Sequence, residues 1–202
     1  MTADWSPKVG AIILAAGMSR RMGQAKMTMP YRGSTVLGTV LTVLHSAGVS
    51  PLITVIGGAR QAVEAVIDEL PFPVIKVVNP APEDSEMLDS LQIGMASLPA
   101  DLDAFLVVIG DQPQIQASVV ERILAKYRQT GSPLIIPSYQ MRRGHPWLVG
   151  KKYWGELRNL PSGKTLRDFI NRNQARIHYL TVDTPSILAD LDTPEDYRRA
   201  VG

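Results

Sequence analysis

VGAIILAAGMSRRMGQAKM, residues 9–27, begins as an unbroken apolar run and ends as a glycine-containing loop dense in positive charge. The run 9–14 carries no polar side chain and is short for a helix, the pattern of a strand buried on both faces. Ala15, Ala16 and Gly17 then let the chain turn closely, and Arg20, Arg21 and Lys26 follow within ten residues. Anionic oxygens suit such a loop. Glycine lets backbone N–H groups approach an anion, arginine offers a fork of donors, and lysine is a mobile point charge. Five residues separate Gly17 from Gly23 and no lysine follows Gly23, so neither G-x-x-x-x-G-K-[ST] nor G-x-G-x-x-G fits. A solvated basic loop is the competing explanation; the position directly after a buried strand argues against it.

Similar Val- and Ile-rich runs recur at 52–56, 74–78, 105–109 and 134–137. Between them, 35–47, 60–70, 87–98 and 117–130 are each long enough for several helical turns. Strand–helix alternation with right-handed crossovers predicts an α/β fold: a three-layer, Rossmann-like, mostly parallel sheet with helices on both faces. Ligands in such sheets bind beyond the carboxyl ends of the strands. The loop after the first strand and Gly110-Asp111-Gln112-Pro113 after the fourth should therefore meet at one edge. Past residue 137 the rhythm changes, with SYQMRRGHPWLVG, helices at 151–157 and 165–173, a strand at 177–182, and a last helix with Thr193 as N-cap and Pro194 in its first turn. One domain over 1–202 is expected, with halves near 1–115 and 116–202.

The 202 residues include 45% hydrophobic and 20% charged side chains, ordinary globular composition. Twenty-one basic against 19 acidic residues leave a net charge of +2, too balanced for a nucleic-acid-binding surface. There is no cysteine, which excludes disulfides, thiolate metal sites and cysteine nucleophiles. The opening MTADWSPKVG lacks the apolar core of a signal peptide, and no apolar run approaches the roughly 20 residues of a bilayer span. A cytoplasmic protein without a membrane partner is the expectation.

Asp111 ends an apolar strand, where its carboxylate can project over the ligand edge. Mg2+ takes oxygen ligands, commonly one or two carboxylates plus substrate phosphates. In Ala189-Asp190-Leu191-Asp192, an extended backbone would put both aspartates on one side. Either completes a metal site with Asp111, Asp190 being the first choice, while Asp192 could instead serve the start of the last helix. Arg142-Arg143-Gly144-His145-Pro146 suits an acceptor bearing a phosphate, with Arg143 and His145 the candidate contacts; Trp147 and Trp154 read as packing aromatics.

LAAGMSRRMGQAK resembles the L-A-A-G-x-S-x-R-M-G-x-x-K signature of nucleotidyltransferases with the glycosyltransferase-A-like (nucleotide-diphospho-sugar transferase-like) fold, particularly the molybdenum cofactor cytidylyltransferases and their molybdopterin-guanine relatives. The resemblance extends through GDQP and RGHP to the closing LDTPEDY. It implies that Leu14, Ala15, Ala16 and Gly17 line the nucleotide, that Arg21 and Lys26 contact the triphosphate, that Asp111 binds Mg2+, and that Ser90 touches base or ribose. It further implies CTP as the nucleotide, since the guanylyl relatives usually show L-A-G-G, molybdenum-bearing molybdopterin as acceptor, pyrophosphate as co-product and a molybdoenzyme as recipient. The chain departs from the family pattern at Glu86, where glycine is usual, and at LPSGKTLRDF, where Arg167 keeps an arginine.

Three other functions fit parts of the sequence. A sugar-phosphate nucleotidyltransferase using GTP, UTP or dTTP shares the first loop. A non-catalytic nucleotide-binding escort of a molybdoenzyme would not need both Lys26 and Asp111. A nucleotide-sugar glycosyltransferase would need an Asp-x-Asp metal motif after a strand, whereas Asp101-Leu102-Asp103 precedes one.

Overall fold

The computed structural model describes residues 5–19, 22–161 and 163–201. In chain order the elements are β1 (Val9–Ala15), the small hairpin β2 (Pro30–Tyr31) and β3 (Ser34–Thr35), α1 (Val36–Ser46), β4 (Leu52–Ile56), α2 (Arg60–Asp68), β5 (Ile75–Val78) and α3 (Met87–Met95). There follow β6 (Ala104–Ile109), α4 (Ala117–Thr130), β7 (Leu134–Tyr139), β8 (Arg142–Arg143), β9 (Trp147–Gly150), α5 (Trp154–Arg158), α6 (Leu166–Arg172), β10 (His178–Thr181) and α7 (Pro194–Val201).

The main sheet runs β10-β7-β9-β6-β1-β4-β5, with β8 paired to β7. All neighbours along this path are parallel except around β9, which is antiparallel to both β6 and β7, and β8 is antiparallel to β7. The first strand lies centrally, and every residue of β1 is buried. Val9, Ala11, Ile13 and Ala15 face a core built with α1, α2 and α4, including Leu37, Leu41, Val63 and Ile123. Ile12 and Leu14 face the opposite layer, with Leu91 and Met95 of α3, Trp154 of α5 and Phe169 of α6. Each fully buried Leu or Ile stabilises this sandwich by roughly 1.5–3 kcal/mol, which is why β1 carries no polar side chain.

The expected strands and helices are present with boundary shifts, and two expectations need correction. Residues 74–78 do not form a strand buried on both faces: β5 is an edge strand with Ile75 and Lys76 exposed. The helix expected over 151–157 is a 3-10 turn, Lys151–Tyr153, followed by the short α5. SYQMRRGHPWLVG, where the rhythm changes, forms the β7–β8 hairpin followed by β9, which inserts between β6 and β7. Thr165 caps α6, its side chain accepting from Asp168 N. Thr193 does the same for α7, accepting from Asp196 N at 3.2 Å.

Candidate active site

The carboxyl ends of β1, β4, β5 and β6 meet at one edge. Gly110 N donates to Leu14 O at 3.0 Å, tying the end of β6 to that of β1. A Cβ at Gly110 would lie 3.2 Å from Ala15 Cβ and 3.3 Å from Met27 Sδ, so this position has little room for a side chain. Gly58 N donates to Ala16 O at 3.1 Å, and a Cβ at Gly57 or Gly58 would press on the backbone of Ala16 or Gly17. The turn after β4 therefore packs directly on the glycine loop. Asn79, buried at the end of β5, receives Ala81 N and donates to Ser90 Oγ at 3.1 Å.

Three cavities adjoin here and share Gly17. One of about 260 Å³ is walled by the loop, with Ser19, Gly23, Lys26 and Gly58. A second, about 360 Å³, has Lys26, Pro82 and Asp192 in its wall. The third, about 300 Å³, is lined by Leu14, Ala16, Ser90 and Asp111, with Glu86 at the start of α3. Ala15 is the exception among the expected nucleotide-lining residues. Strand alternation sends its side chain into the core layer opposite to Leu14 and Ala16. Arg20 and Arg21 lie outside the described residues.

Lys26 lines the first two of these cavities, buried to 7% exposure, and its backbone N donates to Ser19 Oγ at 3.2 Å. Its Nζ is 2.6 Å from Asp111 Oδ2 and 3.2 Å from Asp192 Oδ1. The other Asp111 oxygen, Oδ1, is buried and accepts no hydrogen bond. Asp190 takes a different partner, Gln112 Nε2. Partial burial, with Asp111 and Asp192 nearby, holds the Asp190 carboxyl above its ordinary value although the Gln112 hydrogen bond opposes this. Leu191 between them is fully buried against Met22, Met29 and Tyr31, and Leu191 N donates to Asp111 O. The aspartates thus share one side, as an extended segment requires, but only Asp192 joins Asp111 on Lys26. Among the described residues no group of three or more His, Asp or Glu is arranged to hold a metal ion.

A larger cavity, about 590 Å³, opens on the other side of Met87, which also borders the Asp111 cavity. Arg143, His145, Trp147 and Arg167 line it. Arg143 is held by Tyr179 Oη at 2.9 Å. The His145 ring stacks on Trp147 with centroids 4.5 Å apart. Trp147 is thus half-exposed in the cavity wall, while Trp154 is buried core. Burial pushes the His145 pKa down to about 4, and its Nε2 has no hydrogen-bond partner. The imidazole is neutral near pH 7. Asp101 and Asp103 lie at the opposite edge of the sheet, ahead of β6, where they bind Lys8.

Sequence reasoning missed Gly57, Gly58 and Asn79. A signal was available: each directly follows a parallel strand and so reaches the edge where such folds place ligands.

No helix among the described residues is long and apolar enough to cross a membrane. Nicotine blue oxidoreductase of Paenarthrobacter nicotinovorans is 28% identical, with 96% of each chain covered. The molybdenum cofactor cytidylyltransferase of Escherichia coli K12 is 27% identical over 94% of this chain and 93% of that one. The crystal structure of Rv0371c from Mycobacterium tuberculosis H37Rv superposes with a TM-score of 0.85 at 29% identity, covering 98% and 99% of the two chains. A manganese complex of the same protein gives 0.79. The MobA-like NTP transferase domain matches residues 11–177, from β1 to the approach to β10. This chain therefore belongs to the MobA-like NTP transferase family and is a nucleotidyltransferase.

Proposed function

We propose that the enzyme transfers CMP from CTP to a phosphate of molybdenum-bearing molybdopterin and releases pyrophosphate. The observation that carries this reading is the convergence of Lys26, Asp111 and Asp192 beside a glycine-walled cavity, one cavity away from an arginine-lined pocket. In this reading the base and ribose lie against Leu14, Ala16 and Ser90. The triphosphate lies along the loop 17–26, where backbone N–H groups, Lys26 and Arg21 offset its charge. Arg143 and Arg167 orient the acceptor, and the His145–Trp147 stack gives it a flat wall without adding charge. An acceptor phosphate oxygen attacks the α-phosphorus in line as the bond to the β-phosphate oxygen breaks. A phosphate is already ionised near neutral pH, so no protein base is required.

The residues suit a divalent ion of the magnesium or manganese kind: two carboxylates converge on one point, and Asp111 Oδ1 has lone pairs engaged by no other group. Asp111 and Asp192 would hold it, with Asp190 positioned by Gln112 beside them, and it would supply charge stabilisation to the phosphate oxygens. The manganese complex of Rv0371c supports a divalent ion.

Two relatives of nearly equal similarity bear different names, an oxidoreductase and a cytidylyltransferase, so identity alone does not choose the substrate. The deciding assay gives the protein each of the four ribonucleoside triphosphates, magnesium and molybdenum-loaded molybdopterin, and measures pyrophosphate. Release with CTP is expected. Release with another nucleotide refutes the base assignment, and stoichiometric nucleotide binding without release supports the escort.

A further inference from the structure

The Lys26 side chain serves two places that a substrate complex needs at once. Its stem starts in the wall of the glycine-loop cavity, where the triphosphate is proposed to lie, yet its ammonium sits between Asp111 and Asp192. At 2.6 and 3.2 Å it occupies the space between the carboxylates. A divalent ion bound to both at the roughly 2.0–2.1 Å typical of magnesium could not share that space with it. The pair is also shielded: the Lys26 side chain is 8% and the Asp111 side chain 15% exposed. Interactions there are little screened by solvent.

We infer that Lys26 is a displaceable place-holder: its ammonium occupies the Asp111 carboxylate until a triphosphate draws it onto the phosphate oxygens and opens that carboxylate, beside Asp192, to a divalent ion. This rests on the nucleotidyl-transfer reading. Without the ammonium, the Asp111 carboxylate loses its ion-pair partner in a shielded place, which is costly, and is repelled by Asp192 nearby. With it, Asp111 keeps its place but is closed to a metal. The long, flexible stem of lysine allows the ammonium to change partners, and the cavities on both sides of Lys26 give it room. The consequence is coupling: nucleotide and metal each raise the affinity for the other, by the same factor in both directions. The metal therefore enters with or after the nucleotide.

The test is Mn2+ binding, followed by the loss of the free-ion electron paramagnetic resonance signal, with and without α,β-methylene-CTP. In the natural protein Mn2+ alone should bind weakly, and the analogue should tighten it strongly. Lys26→Met keeps the apolar stem and removes the competitor. It should bind Mn2+ alone at least about tenfold more tightly, and the tightening by the analogue should shrink by a similar factor. Loss of charge by itself would raise Mn2+ affinity but leave the nucleotide–metal coupling unchanged; unchanged coupling overturns the proposal. So does unaltered or weaker Mn2+ binding by the variant. Lys26→Gln supplies the same reading should the methionine variant not fold. If no triphosphate analogue binds, the nucleotide reading falls, while Mn2+ binding in the absence of nucleotide still tests the competition.

Discussion

Acidification should destabilise the acceptor side of the cleft through one residue, His145. Its ring lies in the cavity wall against Trp147, with Nε2 buried and unpartnered, and its pKa is pushed down to about 4 from 6.5. Between those values the unfolded chain takes up a proton that the native state refuses, so unfolding gains free energy as pH falls. Stability from this group is fully present above about 6.5 and is lost progressively towards about 4. At about 1.36 kcal/mol per pH unit the whole span is worth at most about 3.4 kcal/mol, less to the extent that the partly buried ring is solvated. That is a large share of the 5–15 kcal/mol typical of a folded domain. The measurement is urea unfolding at a series of pH values for the natural protein and His145→Gln, with the imidazole titration followed by NMR. Carboxylates titrate in the same region, so the difference between the two curves carries the result: the variant should lose less stability between pH 6.5 and 4. A His145 resonance that titrates near 6.5 while the protein is still folded would refute the reasoning.

Asp111→Asn should lower turnover by about 100-fold or more, since losing one well-placed electrostatic contributor commonly costs that much; pyrophosphate release checks it, and a full rate rejects the role of Asp111. Gly144→Ala should cost about 1–3 kcal/mol as an overpacking change, because a Cβ there would lie 2.6 Å from Ile187 Cγ1 and 2.7 Å from its Cβ. Urea unfolding reads that loss, and an unchanged midpoint contradicts the close approach. Thr165→Ala removes the acceptor for Asp168 N at the start of α6 and should cost about 1 kcal/mol, seen as a lower thermal midpoint.

The fold was legible wherever a local pattern decides burial. Residues 9–14 could satisfy their apolar side chains only inside a sheet covered on both faces, and β1 lies there, with its neighbours recognised by the same pattern. What a strand touches is a separate matter. The run 74–78 reads as a strand but became an edge, and its one charged residue, the exposed Lys76, was the signal for that place. The four residues of β9 carry too few alternations to announce a strand, and their antiparallel place is set by backbone partners on β6 and β7. The candidate site divides in the same way. Lys26 and Asp111 could each be found alone, because each follows a strand at the edge where ligands bind. The choice of Asp192 over Asp190 as the partner of Asp111 could not: Lys26 and Asp192 are 166 residues apart, and alternation places both aspartates on one side without saying which meets the ammonium. Gln112 decides it by taking Asp190, and Leu191 fixes the register by burying itself against Met22, Met29 and Tyr31. The chemistry of this edge therefore depends on an apolar anchor as much as on its charges. Replacing Leu191 would remove that anchor without altering a single charged group.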